Sequence, residues 1–188
     1  MKITDIETIR TEPEDVLNFW RTAGPTRWYN KDAAFDDEIR ERFAVAHEAA
    51  ARGALNAWQE TPESALALVI VLDQFPRNIF RNDLRAYATD GAARAVARRA
   101  INRGFDMKVS EIDRRFFYLP FMHSEDLADQ ERCIGLCRAS NDEEGVRYAD
   151  LHADIIRRFG RFPHRNVALG RRTTPDEQAF LDHGGFAG

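Results

Sequence analysis

The strongest constraint on this chain is a punctuation that keeps returning: a capping residue, then Pro or an acid, then apolar residues three and four apart. Thr11-Glu12-Pro13-Glu14 precedes Val16, Leu17, Phe19 and Trp20, with Thr11 as cap, Glu14 closing a capping box and Gly24-Pro25 as the stop. Asp32 caps a second run in which Phe35, Ile39 and Phe43 recur every four residues, joined by Ala46 and Ala50, before Gly53. Thr61-Pro62-Glu63 places a cap and then Pro at the first helical position, so the stretch ALALVIVL reads as a buried helix despite its strand-like Val-Ile-Val. Thr89 or Asp90 opens a helix with Ala92, Ala93, Val96, Ala97, Ala100 and Ile101 on one face, ended by Asn102-Arg103-Gly104. A short helix from Ile112 to Leu119 is expected to halt at Pro120, Ser124 to cap a helix from Glu125 to about Ala139, and Asn141 or Asp142 to start one running to about Phe159. Thr174-Pro175-Asp176-Glu177 combines a capping box with Pro at the first helical position. No strand pair or hairpin signal competes, so the reading is all-α: a single-domain array of antiparallel helix pairs.

At 188 residues the chain suits one domain, taken as 1–188 with a core over about 12–182 and loose termini. Its 44% hydrophobic and 31% charged residues exclude low-complexity or wholly disordered classes. The longest apolar run, Ala65 to Leu72, is far short of the roughly twenty residues that cross a bilayer, and the N-terminus has no apolar signal region. Cytoplasmic residence without membrane contact is therefore expected. Cys133 and Cys137, spaced i and i+4, read as packing residues. A net charge of −4 and the absence of a recognisable binding motif argue against nucleic acid. Lys occurs only at Lys2, Lys31 and Lys108, so 24 of the 27 basic residues are Arg, the side chain suited to gripping carboxylate or phosphate. Codon bias would give the same excess.

Two segments resemble each other: Asp73-Gln74-Phe75-Pro76-Arg77-Asn78 and Gly160-Arg161-Phe162-Pro163-His164-Arg165-Asn166. Pro disfavours helical geometry in the preceding Phe, so each Phe is expected to end a helix and plug the core, leaving Arg-Asn on a connecting turn. The Arg and Asn side chains then either satisfy helix ends or bring Arg77, Arg165, Asn78 and Asn166 around one anionic ligand, with Asp73, Arg161 and His164 beside them. Arg157 to Arg172 holds six Arg and no acid, and Glu125, Asp126, Asp129 and Glu131 supply an internal mate. His152 lies within an apolar arc with Tyr148, Ile155, Ile156 and Phe159, as either a core histidine or a general base. His123-Ser124-Glu125-Asp126 puts three ionisable groups in four residues at a helix start, either complementing the helix dipole or moving protons. A metal on His123, Glu125, His152 and His164 would lack any close ligand pair, so no metal or cofactor is expected. GxSxG, P-loop, GxGxxG and HExxH motifs are missing.

The strings VLNFW, WYNKDAAFDDEIRERF, LALVIVLDQFPRNIFR, YLPFMHSEDLADQE and HADIIRRFGRFPHRNVALGRRTTPDEQAFL resemble the bacterial family catalogued as domain of unknown function 924. The resemblance extends from about Val16 to about Leu181. It implies a single helical domain similar to the tetratricopeptide-repeat-like superhelices, and cytosolic residence; it carries no reaction over. Three functions stay open. One is a module binding a small anion or acidic peptide. The second is a hydrolase or isomerase acting on a carboxylate or phosphate, with His152 or His123 as base and Glu125 or Asp126 orienting it. The third is a structural or partner-assembly role, with a homo-oligomer admissible.

Overall fold

The computed structural model describes residues 11–186. Among them the secondary structure is helical throughout, without strands: α1 (Pro13–Trp28), α2 (Ala33–Ala51), α3 (Pro62–Asp73), α4 (Phe75–Ile79), α5 (Asp90–Asn102), α6 (Glu111–Met122), α7 (Leu127–Ala139), α8 (Glu143–Phe159) and α9 (Pro175–Asp182), with single 3-10 turns between some of them. No described helix is long and apolar enough to cross a membrane. The expectation of loose ends concerns residues that lie largely outside those described.

Helix α3 forms the axis. Every residue from Ala65 to Asp73 is buried, and α3 packs against α1, α2, α5 and α6. Its start is built as the sequence dictates: the Thr61 hydroxyl accepts from the Ser64 amide, Ser64 answers on the Thr61 amide, and Pro62 follows. An aromatic cluster fills the space around α3, with Phe43 stacked on Phe75 at 4.8 Å and Phe116 edge-on to Trp28 at 5.0 Å between ring centroids. Helices α5, α6, α7 and α8 then follow as successive neighbours. A smaller cluster of Ile155, Ile156 and Phe162, with Phe159 and Phe180, fixes α9 against the end of α8.

Several boundaries differ from the sequence reading, each for a local reason. The cap of α1 is Glu12, answered by Asp15, instead of Thr11 with Glu14, and Gly24 at φ 69° breaks the helix before one further turn from Pro25. Pro120 does not halt α6, which continues to Met122: the ring removes the bond to the Phe116 carbonyl, but the following amides carry the helix on and the His123 amide still reaches the Leu119 carbonyl. Ser124 does not cap α7. Asp126 does, while the Ser124 hydroxyl accepts from the Asp126 amide and donates to Asp129. Ala92 is exposed although its periodic neighbours Ala93, Val96, Ala97 and Ala100 are buried.

Candidate functional site

The two Phe-Pro segments behave differently. Phe162 is extended (φ −89°, ψ 109°), as the residue before Pro should be. At the first segment Gln74 keeps helical angles (φ −87°, ψ −51°) and Phe75 begins α4, where the missing amide of Pro76 falls in the first turn and breaks no bond. Arg77 and Asn78 are therefore on a helix instead of a turn. Asp73 and Arg77, at i and i+4, share one face across the α3–α4 junction. The Arg77 guanidinium sits 3.5 Å from Asp73 Oδ1 and donates to the Asp73 carbonyl at 2.5 Å.

Asp73 is fully buried, yet His123 and Arg77 hold its carboxyl well below the usual carboxylate range against the penalty of burial. It accepts from Gln74 Nε2 at 2.6 Å, and both its oxygens are 3.0 Å from His123 Nδ1. An ionised carboxylate can only accept, so Nδ1 carries the proton. Burial, and then the charge of Arg77, lower the His123 pKa, keeping the imidazole neutral with Nε2 as a free acceptor.

Arg77 also grips Asp90, the first residue of α5, with both nitrogens at 3.0 and 3.2 Å. The second Phe-Pro segment arrives at the same carboxylate: Arg165 lies 3.6 Å from Asp90 Oδ2. The two segments thus meet through one acid. Arg165 is 6% exposed, its Nε has no hydrogen-bond partner among the described residues, and its guanidinium lies over the rings of Tyr87 (4.7 Å) and Phe162 (4.5 Å). Burial first, then the neighbouring Arg77, pull its pKa down to about 10.

Arg77, His123 and Arg165 line one cavity of about 520 Å³, a volume suited to a small organic molecule. His123, His152, His164, Arg77, Asn78 and Arg165 all face it, along with Trp28, Tyr87, Tyr118, Met122 and Tyr148. His152 Nδ1 donates to the Tyr148 carbonyl at 2.7 Å, and burial lowers its pKa to about 4. Burial and then Arg165 lower that of His164 to about 3. Phe186 packs against both imidazoles, at 4.6 and 5.5 Å. Two further cations of the wall are already matched. Arg81 forks onto Asp36 at 2.7 Å, and Arg115 reaches Asp142 at 2.6 Å and Glu144 at 2.8 Å.

Other residues singled out in the sequence are engaged elsewhere. Glu125 accepts a fork from Arg171 (2.7 and 3.0 Å) and the Phe162 amide (2.8 Å), and Asp126 caps α7, so neither orients an imidazole. Arg161 forks onto Glu177 at 2.6 and 2.9 Å. Buried Asn166 joins Glu177, Thr173 and Arg171, tying the second segment to α9. Asn78 reaches the cavity wall but donates to Asp36 at 2.8 Å. Asp73 stands behind His123 instead of contacting the cavity. Asp90, Gln74 and Tyr87 were not singled out as site residues; the i and i+4 spacing of Asp73 and Arg77 was the one local signal of this network. No group of three or more His, Cys, Asp or Glu among the described residues is arranged to hold a metal ion.

A model of the family described as bacterial protein of unknown function, DUF924, matches residues 16–185. Among solved structures, a protein of unknown function, ATU0120 from Agrobacterium tumefaciens, is similar at 51% identity and a TM-score of 0.88, over 92% of this chain and 97% of that one. No curated protein matches.

Proposed function

The chain belongs to the bacterial DUF924 family, and we propose that it is a cytoplasmic binding protein that takes a small organic anion into its cavity by a carboxylate or phosphate seated on Arg165. The observation carrying this reading is the state of that guanidinium. It is buried, its Nε lacks a partner among the described residues, and its nearest acid is 3.6 Å away and already forked by Arg77. A buried donor left unmade costs about 1–3 kcal/mol, which an incoming anion would recover. Beside it the wall is aromatic and apolar, from Trp28, Tyr87, Tyr118 and Met122, which favours a ligand with one anionic end and an aromatic or branched body.

Thermal-shift titration with phenyl phosphate and phenylpyruvate, against neutral 2-phenylacetamide, tests this. At least one anion should raise the melting temperature of the wild type, the amide should not, and Arg165→Met should abolish the response. Absence of any shift with both anions at millimolar concentration, or an equal shift in Arg165→Met, would overturn the reading.

A further inference from the structure

We propose that the cavity is catalytic, with His123 acting as a general base that takes a proton from a carbon next to a carbonyl in a carboxylate ligand, and Asp73 as the residue that positions it. The inference rests on the anion site at Arg165 and goes beyond binding. Its basis is a continuous chain of contacts from base to anion anchor: His123 Nδ1 to Asp73 at 3.0 Å, Asp73 to Arg77 at 3.5 Å, Arg77 to Asp90 at 3.0 Å and Asp90 to Arg165 at 3.6 Å. Asp73 is fully buried at the end of the central helix and His123 closes α6, so two packed elements fix the imidazole. With Nδ1 tied to the carboxylate, the one free nitrogen is Nε2, and His123 itself lines the cavity. An unprotonated Nε2 opposite an ionised carboxylate is the arrangement of a general base. Among the described residues His123 pairs with a carboxylate and His152 with a carbonyl, while buried His164 Nδ1 has no partner, and no hydroxyl or thiol is hydrogen-bonded to any of the three. The arrangement therefore suits direct proton transfer from the ligand better than activation of a side-chain nucleophile.

A 2-oxo acid with an aromatic body matches the anchor, the apolar wall and the base together. In that step the C3–H bond breaks and its proton passes to Nε2. The bond's electron pair forms the C2–C3 double bond, and the carbonyl pair moves onto oxygen as the enolate, beside the cationic Arg165. Return of the proton restores the acid, so the cycle consumes no oxidant, reductant or co-reactant. In heavy water the imidazole returns deuterium, which labels C3.

The test follows loss of the C3 proton signal of phenylpyruvate in D2O by NMR, with thermal shift by the same compound on the same samples. Wild type should accelerate exchange about 100-fold or more over buffer. His123→Gln should lose that acceleration while keeping the thermal shift, and Arg165→Met should lose both. Charged and titratable groups facing His123 are Asp73, Arg77 and Asp90, with His152 and His164 farther along the wall. Because Asp73 supports the protonated form, Asp73→Asn should slow exchange about tenfold or more and move the acid limb of the pH profile to lower pH; a purely structural role would leave the profile in place. Should Asp73→Asn fail to fold, His123→Gln decides alone. Binding by wild type without accelerated exchange, or undiminished exchange in His123→Gln, overturns the catalytic proposal and leaves the anion site standing. No binding of phenylpyruvate overturns the proposal at its anchor, and phenyl phosphate binding in the same assay then tells whether the anion site survives.

Discussion

At Arg77 both terminal nitrogens meet Asp90, whereas at Arg165 the same carboxylate is 3.6 Å away and Nε meets nothing among the described residues. That difference separates a structural arginine from one held ready for a ligand. Arg77→Met would leave buried Asp73 without its cation and Asp90 with only the poorly placed Arg165, costing about 3–5 kcal/mol in urea unfolding. Arg165→Met removes a poorly matched cation while Asp90 keeps Arg77, so its stability should equal or exceed wild type. A loss at Arg165 as large as at Arg77 would make Arg165 part of the scaffold. Residue identity alone did not make this distinction. Arg161, Asn166 and Glu125 have the same chemistry as the cavity residues and close sequence proximity to them, yet Arg161 and Asn166 turn to Glu177 of α9 and Glu125 turns to Arg171. Which way a polar side chain turns is decided by packing between distant segments, and no periodicity records it.

Elements were more legible, because caps and prolines act locally. The Thr61 and Asp32 caps and the Thr174 box stand where the sequence puts them, and of Asn141 and Asp142 it is Asp142 that caps α8. The misplaced ends lie close to the expected ones: Glu12 caps α1 instead of Thr11, Asp126 caps α7 instead of Ser124, and α6 runs two residues past Pro120. Two glycines contrast a packed with an open position on α8 and α7. A Cβ on Gly145 would come within 2.4 Å of the Asp142 carboxylate and 3.1 Å of Cys137 Sγ, where α8 begins and the Asp142 cap is set. Gly145→Ala should therefore destabilise by about 1–3 kcal/mol. Gly135, in the middle of exposed α7 surface, has open space around its Cβ position, so Gly135→Ala should stabilise by about 0.5–1 kcal/mol. Thermal unfolding of the two variants should move in opposite directions from wild type.

At the scale of the whole molecule, the central α3 and the aromatic cluster make an all-helical body whose cavity opens where α4, the end of α6, the first half of α8 and the second Phe-Pro segment converge. The all-α class was readable because every helix but the short α4 announces itself; the convergence was not, because it joins residues from distant parts of the chain. It also gives the fold a pH dependence. His152 and His164 have folded pKa values lowered to about 4 and about 3 by burial, so the unfolded chain takes up protons below about pH 6.5 that the fold refuses. Their contribution is complete above about pH 6.5 and is lost as pH falls toward 4 and 3, up to about 3 kcal/mol for His152. His123 and His47, also lowered, act in the same direction. Urea midpoints should fall steadily from pH 7 to pH 4, and His152→Phe should flatten the decline.

The most direct measurement of the central claim is an NMR titration of the arginine side-chain Nε–H resonances with phenyl phosphate, the Arg165 signal being assigned by its loss in Arg165→Lys. The account predicts that Arg165 Nε–H moves downfield and saturates with the binding curve, while Arg161 and Arg171, locked to Glu177 and Glu125, stay in place. Saturable binding that leaves the Arg165 resonance unmoved, or no binding, would contradict it.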